Sequence, residues 1–295
     1  GQSQDLYRRY YFGRWQRGVN FKSILFANSP GIIIKRGGGI MATTIVLANR
    51  KGGSGKTTST INIADGLARA GKRVLVVDAD SQAQATISCG VLPYQLSSSL
   101  YELLHLLADG QQLGAQLLST IIKDKKPFHL LPAKPDLAAL EVEVASKDNC
   151  QTLLKDLLIE VENNYDYVLI DLPPSLGLLS VSGLVAARWL IIPIEPTFLS
   201  MDGLAQMTGI LYKINADLNP ELRLLGILPI KCDLRTNLAR SVIAEIRQNF
   251  GDDNILPAVR NDIKLAEAPS FGKTIFEYAP TCRGAQDYND VVEFI

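Results

Sequence analysis

The sequence predicts an α/β fold in which a mostly parallel sheet carries helices on both faces. Three observations predict it. Apolar, β-branched runs at residues 43–48, 73–80, 166–171, 189–194 and 224–230 alternate with segments whose apolar residues recur at helical spacing. The runs are apolar at nearly every position, as strands buried on both faces must be. Two of them end in carboxylates, Asp78 and Asp80 after the second run and Asp171 after the third. In open α/β sheets ligands bind beyond the carboxyl ends of the strands, so these acids mark a site. Right-handed crossovers are expected between the strands.

The first strand, 43–48, leads into Lys51-Gly52-Gly53-Ser54-Gly55-Lys56-Thr57-Thr58 and then a helix over 57–70 carrying Ile61, Ile63, Ala64, Leu67 and Ala68. Glycines without side chains let backbone N–H groups converge on an anion at a helix start, where the dipole also favours negative charge. The pattern G-x-x-x-x-G-K-[ST] fits at Gly55, Lys56 and Thr57, but Arg50 stands at its first glycine. In place of that glycine the loop has a second lysine, Lys51. The arrangement K-G-G-x-G-K-T-T resembles the deviant Walker A loop of the ParA/MinD family of ATPases. That resemblance implies a P-loop NTPase-type fold. It also implies that Lys51 reaches the nucleotide of a partner subunit.

Gly71 ends the first helix, and the strand 73–80 follows. The loop Ser81-Gln82-Ala83-Gln84-Ala85-Thr86 is similar to the family's switch, D-x-D-P-Q-G-N-A-T, with serine for its proline and alanine for its glycine. Carried over, Asp80 orients the attacking water and Asp78 supports the metal and the loop. Residues 97–122 and 136–162 read as helical, the second stretch broken near Asp148-Asn149. His105 and His129 lack partners at metal-ligand spacing and read as structural.

Strand 166–171 stops at Pro173-Pro174. The motif D-x-P-P-S-L-G from Asp171 to Gly177 is that of the family's Walker B position, where Asp171 holds Mg²⁺ beside the Thr57 hydroxyl. Further resemblances are the proline-containing connection 193–204, the segment Asp233-Leu234-Arg235-Thr236-Asn237-Leu238 before a helix over 237–250, and 260–273. In the last of these, Arg260 and Asp262 take the positions that contact adenine. Lys264, with Arg235, Arg240 and Lys273, forms a candidate patch for DNA phosphates.

Hydrophobic residues make up 47% of the 295 and charged residues 20%, the balance of a globular chain. No apolar run reaches the length that spans a bilayer. Cys89, Cys150, Cys232 and Cys282 form no C-x-x-C pair and read as buried thiols of a reducing compartment. The formal net charge is +0, yet residues 1–40 hold seven Lys/Arg against one acid, so the remainder carries a surplus of six negative charges. Basic residues mixed with aromatics suit nucleic-acid binding or targeting. The reading adopted is a disordered leader or start-site extension over 1–40, before Met41, and a single ATPase domain over 41–295.

The resemblance thus implies an ATPase that requires ATP and Mg²⁺ and forms a homodimer in the ATP state. It implies binding to DNA without sequence preference, in the cytoplasm on the nucleoid, and stimulation of hydrolysis by a ParB-like or other adaptor, in chromosome or plasmid segregation. One alternative is cargo positioning by the same machinery. Another is a MinD-like membrane ATPase, against which stands the tail after Arg283, with Asp287, Asp290 and Glu293 and no Lys or Arg. A cluster-bearing electron carrier shares the loop but needs bridging cysteines at positions that Cys89 and Cys150 do not match.

Overall fold

The strand runs form where expected, because each is apolar on both faces and each face has helices to cover it. The computed structural model describes residues 42–124 and 126–295; the expected leader and Met41 lie outside the described residues. Strands β1 (Thr43–Leu47), β2 (Val74–Asp78), β5 (Tyr167–Asp171), β6 (Trp189–Ile194) and β7 (Arg223–Pro229) are joined by the short β3 (Lys123–Asp124) and β4 (His129–Leu131). Among the described residues they make one sheet in the order β3-β4-β2-β5-β1-β6-β7. All neighbours run parallel except β3 and β4. Beyond β7, isolated parallel bridges join Ile227 to Ile255 and Cys232 to Arg260.

Side chains alternate across each strand, and the two sets feed two cores. Val46, Leu75, Val77, Val168, Ile170, Leu190 and Ile192 pack in one. Its helices include α3 (Leu100–Ala108), α5 (Leu137–Glu143), α6 (Leu153–Val161), α7 (Leu178–Ala186), α8 (Ser200–Asp217) and α9 (Asn237–Phe250). Ile45, Leu47, Val74, Val76, Leu169 and Ile191 pack in the other, under α1 (Lys56–Arg69) and α12 (Arg283–Phe294).

The stretch read as one helix over 97–122 is two, α3 and α4 (Ala115–Ile121). Ser99 and Glu102 form a capping box that starts α3, and Gly110, at φ +72°, ends it by letting the chain turn left-handed. The stretch 136–162 likewise divides into α5 and α6, and Asn149 in the break donates to the Leu107 carbonyl at 3.1 Å.

The sheet order places the site. β1 and β2 are consecutive in the chain but have β5 between them, so β5 ends beside both. Asp171 is register partner to Asp78 on one side and to Leu47, the end of β1, on the other. The loop after β1 therefore opens directly over the acids.

Candidate functional site

The glycine-rich loop joins β1 to the N-terminus of α1. Gly53 and Gly55 have φ of +71° and +72°, a conformation that glycine adopts without a Cβ penalty. α1 starts with no side-chain cap and no acid in its first turn, so its leading amides have no side-chain oxygen on them. The Ser54 hydroxyl oxygen is buried without a hydrogen-bond partner in the described structure. Uncapped amides, an orphaned hydroxyl and a helix dipole fit an anion seated on the loop.

Lys56 is buried at 7% exposure. Desolvation presses its pKa down, while the charges of Asp171 and Asp80 push it up. Asp171 is wholly buried and its pKa is raised, first by burial and then by the Asp78 charge, against the pull of the Thr57 hydrogen bond and of Lys56. The Thr57 hydroxyl donates to Asp171 Oδ2 at 2.6 Å, and Thr60 approaches Oδ1 at 3.4 Å while donating to the Lys56 carbonyl at 3.0 Å. A hydroxyl and a carboxylate in contact beside an anion cradle are the donor set that suits Mg²⁺, which takes few protein ligands together with phosphates. Among the described residues there is no cluster of three or more metal-binding side chains.

Asp78 ties the end of β2 to the loop that follows it. Its Oδ2 accepts from the Thr86 amide at 2.8 Å and the Thr86 hydroxyl at 2.7 Å, and its Oδ1 from the Asp80 amide at 3.2 Å. Three hydrogen bonds on its two oxygens make Asp78 an anchor of the loop. Burial raises its pKa to about 6. Thr86 passes the anchor on, its hydroxyl accepting from the Ala133 amide at 2.9 Å. Asp80, 9% exposed, accepts from the Gln82 amide at 2.9 Å. The loop closes with Ala83 in the left-handed region, φ +51°, at the start of α2 (Gln84–Ser88).

Lys51 stands apart from Lys56 although both belong to one loop. Its side chain is 47% exposed, with Nζ 4.0 Å from Glu195. Beneath it Asn49, unremarked in the sequence, accepts from the Lys51 amide at 3.1 Å and donates to the Pro193 carbonyl at 2.7 Å, tying the loop base to β6. Arg50, at the missing glycine, donates to Gln206 on α8 at 2.8 Å. Leu176 and Leu199, in the loops after β5 and β6, are 46% and 72% exposed at the same end of the sheet.

The remaining candidates lie on the segments after β7 and are largely engaged within the chain. Arg260 meets Asp287 through its amide and its guanidinium, the shortest contact being 2.6 Å. Asp262 caps α10 (Ile263–Glu267) by accepting from the Lys264 amide, and its other oxygen accepts from the Gly284 amide. Arg235 is paired with Asp233, Arg240 donates to Asn237 and the Leu234 carbonyl, and Lys264 is paired with Glu267 over the Tyr278 ring. Lys273 is exposed. All four cysteines are free; Cys89 and Cys232 are buried, but Cys150, in the turn before α6, and Cys282, at the start of α12, are half-buried. His129 hydrogen-bonds the Tyr165 hydroxyl at 2.8 Å, whereas His105 is partly exposed, beside Asp109.

A parallel sheet with this loop after its first strand and an acid at the end of the neighbouring strand defines the class: a P-loop nucleotide-binding protein with a two-lysine loop. The family described as an AAA domain matches residues 42–224. The chain is 42% identical over 249 residues to the chromosome-partitioning ATPase Soj of Thermus thermophilus, covering 84% of this chain and 93% of that protein. It is 36% identical over 254 residues to the chromosome partitioning protein ParA of Myxococcus xanthus, covering 86% and 88%. Cobyrinic acid a,c-diamide synthase from Mycobacterium smegmatis, solved with bound ADP and magnesium, has the same fold at a TM-score of 0.72 and 30% identity, over 86% of this chain and 93% of its own. The chain belongs to the ParA/Soj family of partition ATPases within the ParA/MinD group.

Proposed function

We propose that the protein is a Mg-ATP-dependent ATPase that closes into a homodimer around its nucleotides, and that this ATP-bound dimer holds DNA without sequence preference to segregate chromosome or plasmid DNA. The observation that carries the reading is the division of labour within one loop: Lys56 is buried against Asp171 and Asp80, while Lys51 is half exposed and turned to the outside.

In this reading the amides of residues 52–58 cradle the phosphates, and Lys56 neutralises their oxygens in a water-poor setting where charge acts strongly. Thr57 and Asp171 would hold Mg²⁺, which supplies further neutralisation of the phosphate oxygens when bound. Asp80, fixed through Gln82 and the Asp78–Thr86 anchor, orients the attacking water. Lys51 of each subunit would serve the nucleotide of the other, with Leu176 and Leu199 burying apolar surface as the subunits meet. The base would lie against the backbone at 260–262, beside Arg260 and Asp262. Residues 41–295 act as the ATPase domain, with 1–40 dispensable for binding ATP. Hydrolysis would be slow until a ParB-like or other adaptor engages.

Among the described residues no helix is long and apolar enough to cross a membrane. The test is light scattering with ATPγS or ADP, followed by retention on DNA of arbitrary sequence beside an anionic-liposome control. A dimer and salt-sensitive DNA retention are expected with ATPγS alone. A monomer in ATPγS, or equal retention in ADP, would sink the reading, and retention on the liposomes instead would favour the membrane alternative.

A further inference from the structure

A third lysine meets the phosphate loop from outside it. β7 continues into Ile230-Lys231-Cys232, and the chain is bonded on either side of Lys231: the Ile230 amide donates to the Ile194 carbonyl at 2.7 Å, and the Cys232 amide to the Val259 carbonyl at 3.0 Å. Between these anchors Lys231 has φ +50°, in the left-handed region. Among the described residues other than glycine, Ala83 alone shares that sign of φ, and Ala83 lies in the switch loop. Backbone strain of this kind persists only where the surroundings impose it, often beside a ligand.

The strained residue points its side chain at the site. Lys231 Nζ donates to the Gly53 carbonyl at 3.0 Å, across 178 residues of sequence. Its neighbour Ile230 fills the space beside Gly55, where an added Cβ would come within 2.5 Å of Ile230 Cδ1. The end of β7 therefore braces the loop at two of its glycines. The Gly53 carbonyl and the Ser54 N–H belong to one planar trans peptide and point in opposite directions. Holding the carbonyl outward with an ammonium group fixes the direction of that N–H. Ser54 is also the residue whose buried hydroxyl has no partner in the described structure.

We propose that Lys231 is a positioning residue of the phosphate loop: by holding the Gly53 carbonyl it presets the Ser54 amide for the nucleotide phosphates and adds a positive charge behind the loop. The proposal rests on the reading of this loop as a nucleotide site. Nothing in the glycine-lysine motif announces Lys231, because the contact exists only once β7 is laid beside β6.

The experiment is calorimetric titration of the full chain with ADP and with ATPγS in magnesium buffer, together with thermal melting, for wild type, Lys231→Met, Lys231→Gly and Lys231→Arg. Losing a charge-assisted hydrogen bond from a preorganised loop is expected to weaken both ligands about five- to tenfold in the Met and Gly variants. The Arg variant should stay within about threefold of wild type, since it keeps a charged donor. Lys231→Gly removes the strain as well as the cation, so it should melt no lower than wild type while binding more weakly. A merely structural residue would not separate those two readouts. Affinities of the Met and Gly variants within about twofold of wild type would overturn the proposal. So would affinity losses matched by lower melting in both variants. Failure of the wild type itself to bind either nucleotide would remove the nucleotide-site reading, and this inference with it.

Discussion

Ala83 stands where the family pattern that this loop resembles has glycine, and its left-handed φ of +51° gives the physical reason a glycine suits the position. The alanine departure is plain in the sequence; the strain it brings is not, because a one-letter code carries no dihedral. Ala83→Gly is expected to stabilise the chain by about 0.5–1 kcal/mol in equilibrium denaturation, the relieved strain exceeding the added freedom of the unfolded chain. A loss of stability would mean that the lost packing of the buried Ala83 methyl, added to that freedom, outweighs the relieved strain. The buried acids set a pH dependence. Asp78, raised from 3.8 to about 6, and Asp171, also raised, keep protons in the folded chain that the unfolded chain has already released. Their contribution is therefore present below about pH 4 and is lost as pH rises through about 6 for Asp78, and at higher pH for Asp171. The urea midpoint of the nucleotide-free protein should fall between pH 5 and pH 8, with Asp78 accounting for at most about 3 kcal/mol. A flat profile would show that neither acid holds its proton in the folded chain.

The strands, α1 and α9 were legible because periodicity and flanking glycines or caps agreed; Thr236, for example, caps α9 by accepting from the Ala239 amide. Helix breaks near Gly110 were harder to read, since a leucine-rich stretch continues across the turn. Contacts between elements were not legible at all. The α2 helix ends at Gly90, which packs on Gly272, where an added Cβ would lie 2.7 Å from the Gly90 Cα. Lys126 holds the same segment, donating to the Gly272 carbonyl at 2.7 Å and to Glu277 at 2.6 Å. Through this contact the helix that follows the switch loop touches the segment that carries Lys273. Gly272→Ala adds a clash with backbone at φ +61°, and is expected to destabilise by about 2 kcal/mol and lower the melting temperature by about 5 °C. Unchanged melting would show that the two segments separate freely.

For the molecule as a whole, the charge count predicted an acidic body that nonetheless offers basic side chains, and the structure qualifies that patch. Arg235 is neutralised by Asp233 and Lys264 by Glu267, so neither has its full charge to give to a polyanion. Arg240 and Lys273 are expected to carry more of any DNA retention. Replacing both by Ala should lower retention and flatten its salt dependence, whereas Arg235→Ala should do less; the reverse order in a filter-binding salt series would remove this assignment. A parallel sheet was implied by the alternating pattern, but its strand order, and with it the meeting of Asp171 with both Asp78 and Leu47, required the sheet itself, because residues 78 and 171 are far apart in sequence and carry no common motif.

The margins of the sheet have a consequence for how copies of the chain meet. One rim is the two-residue β3, reversed in direction against β4, and the other is interrupted by the Ile227–Ile255 and Cys232–Arg260 bridges. Among the described residues neither rim presents a long bare row of backbone donors and acceptors, so growth by strand addition has no template there. Lateral stacking of copies into fibres is thereby disfavoured at both margins.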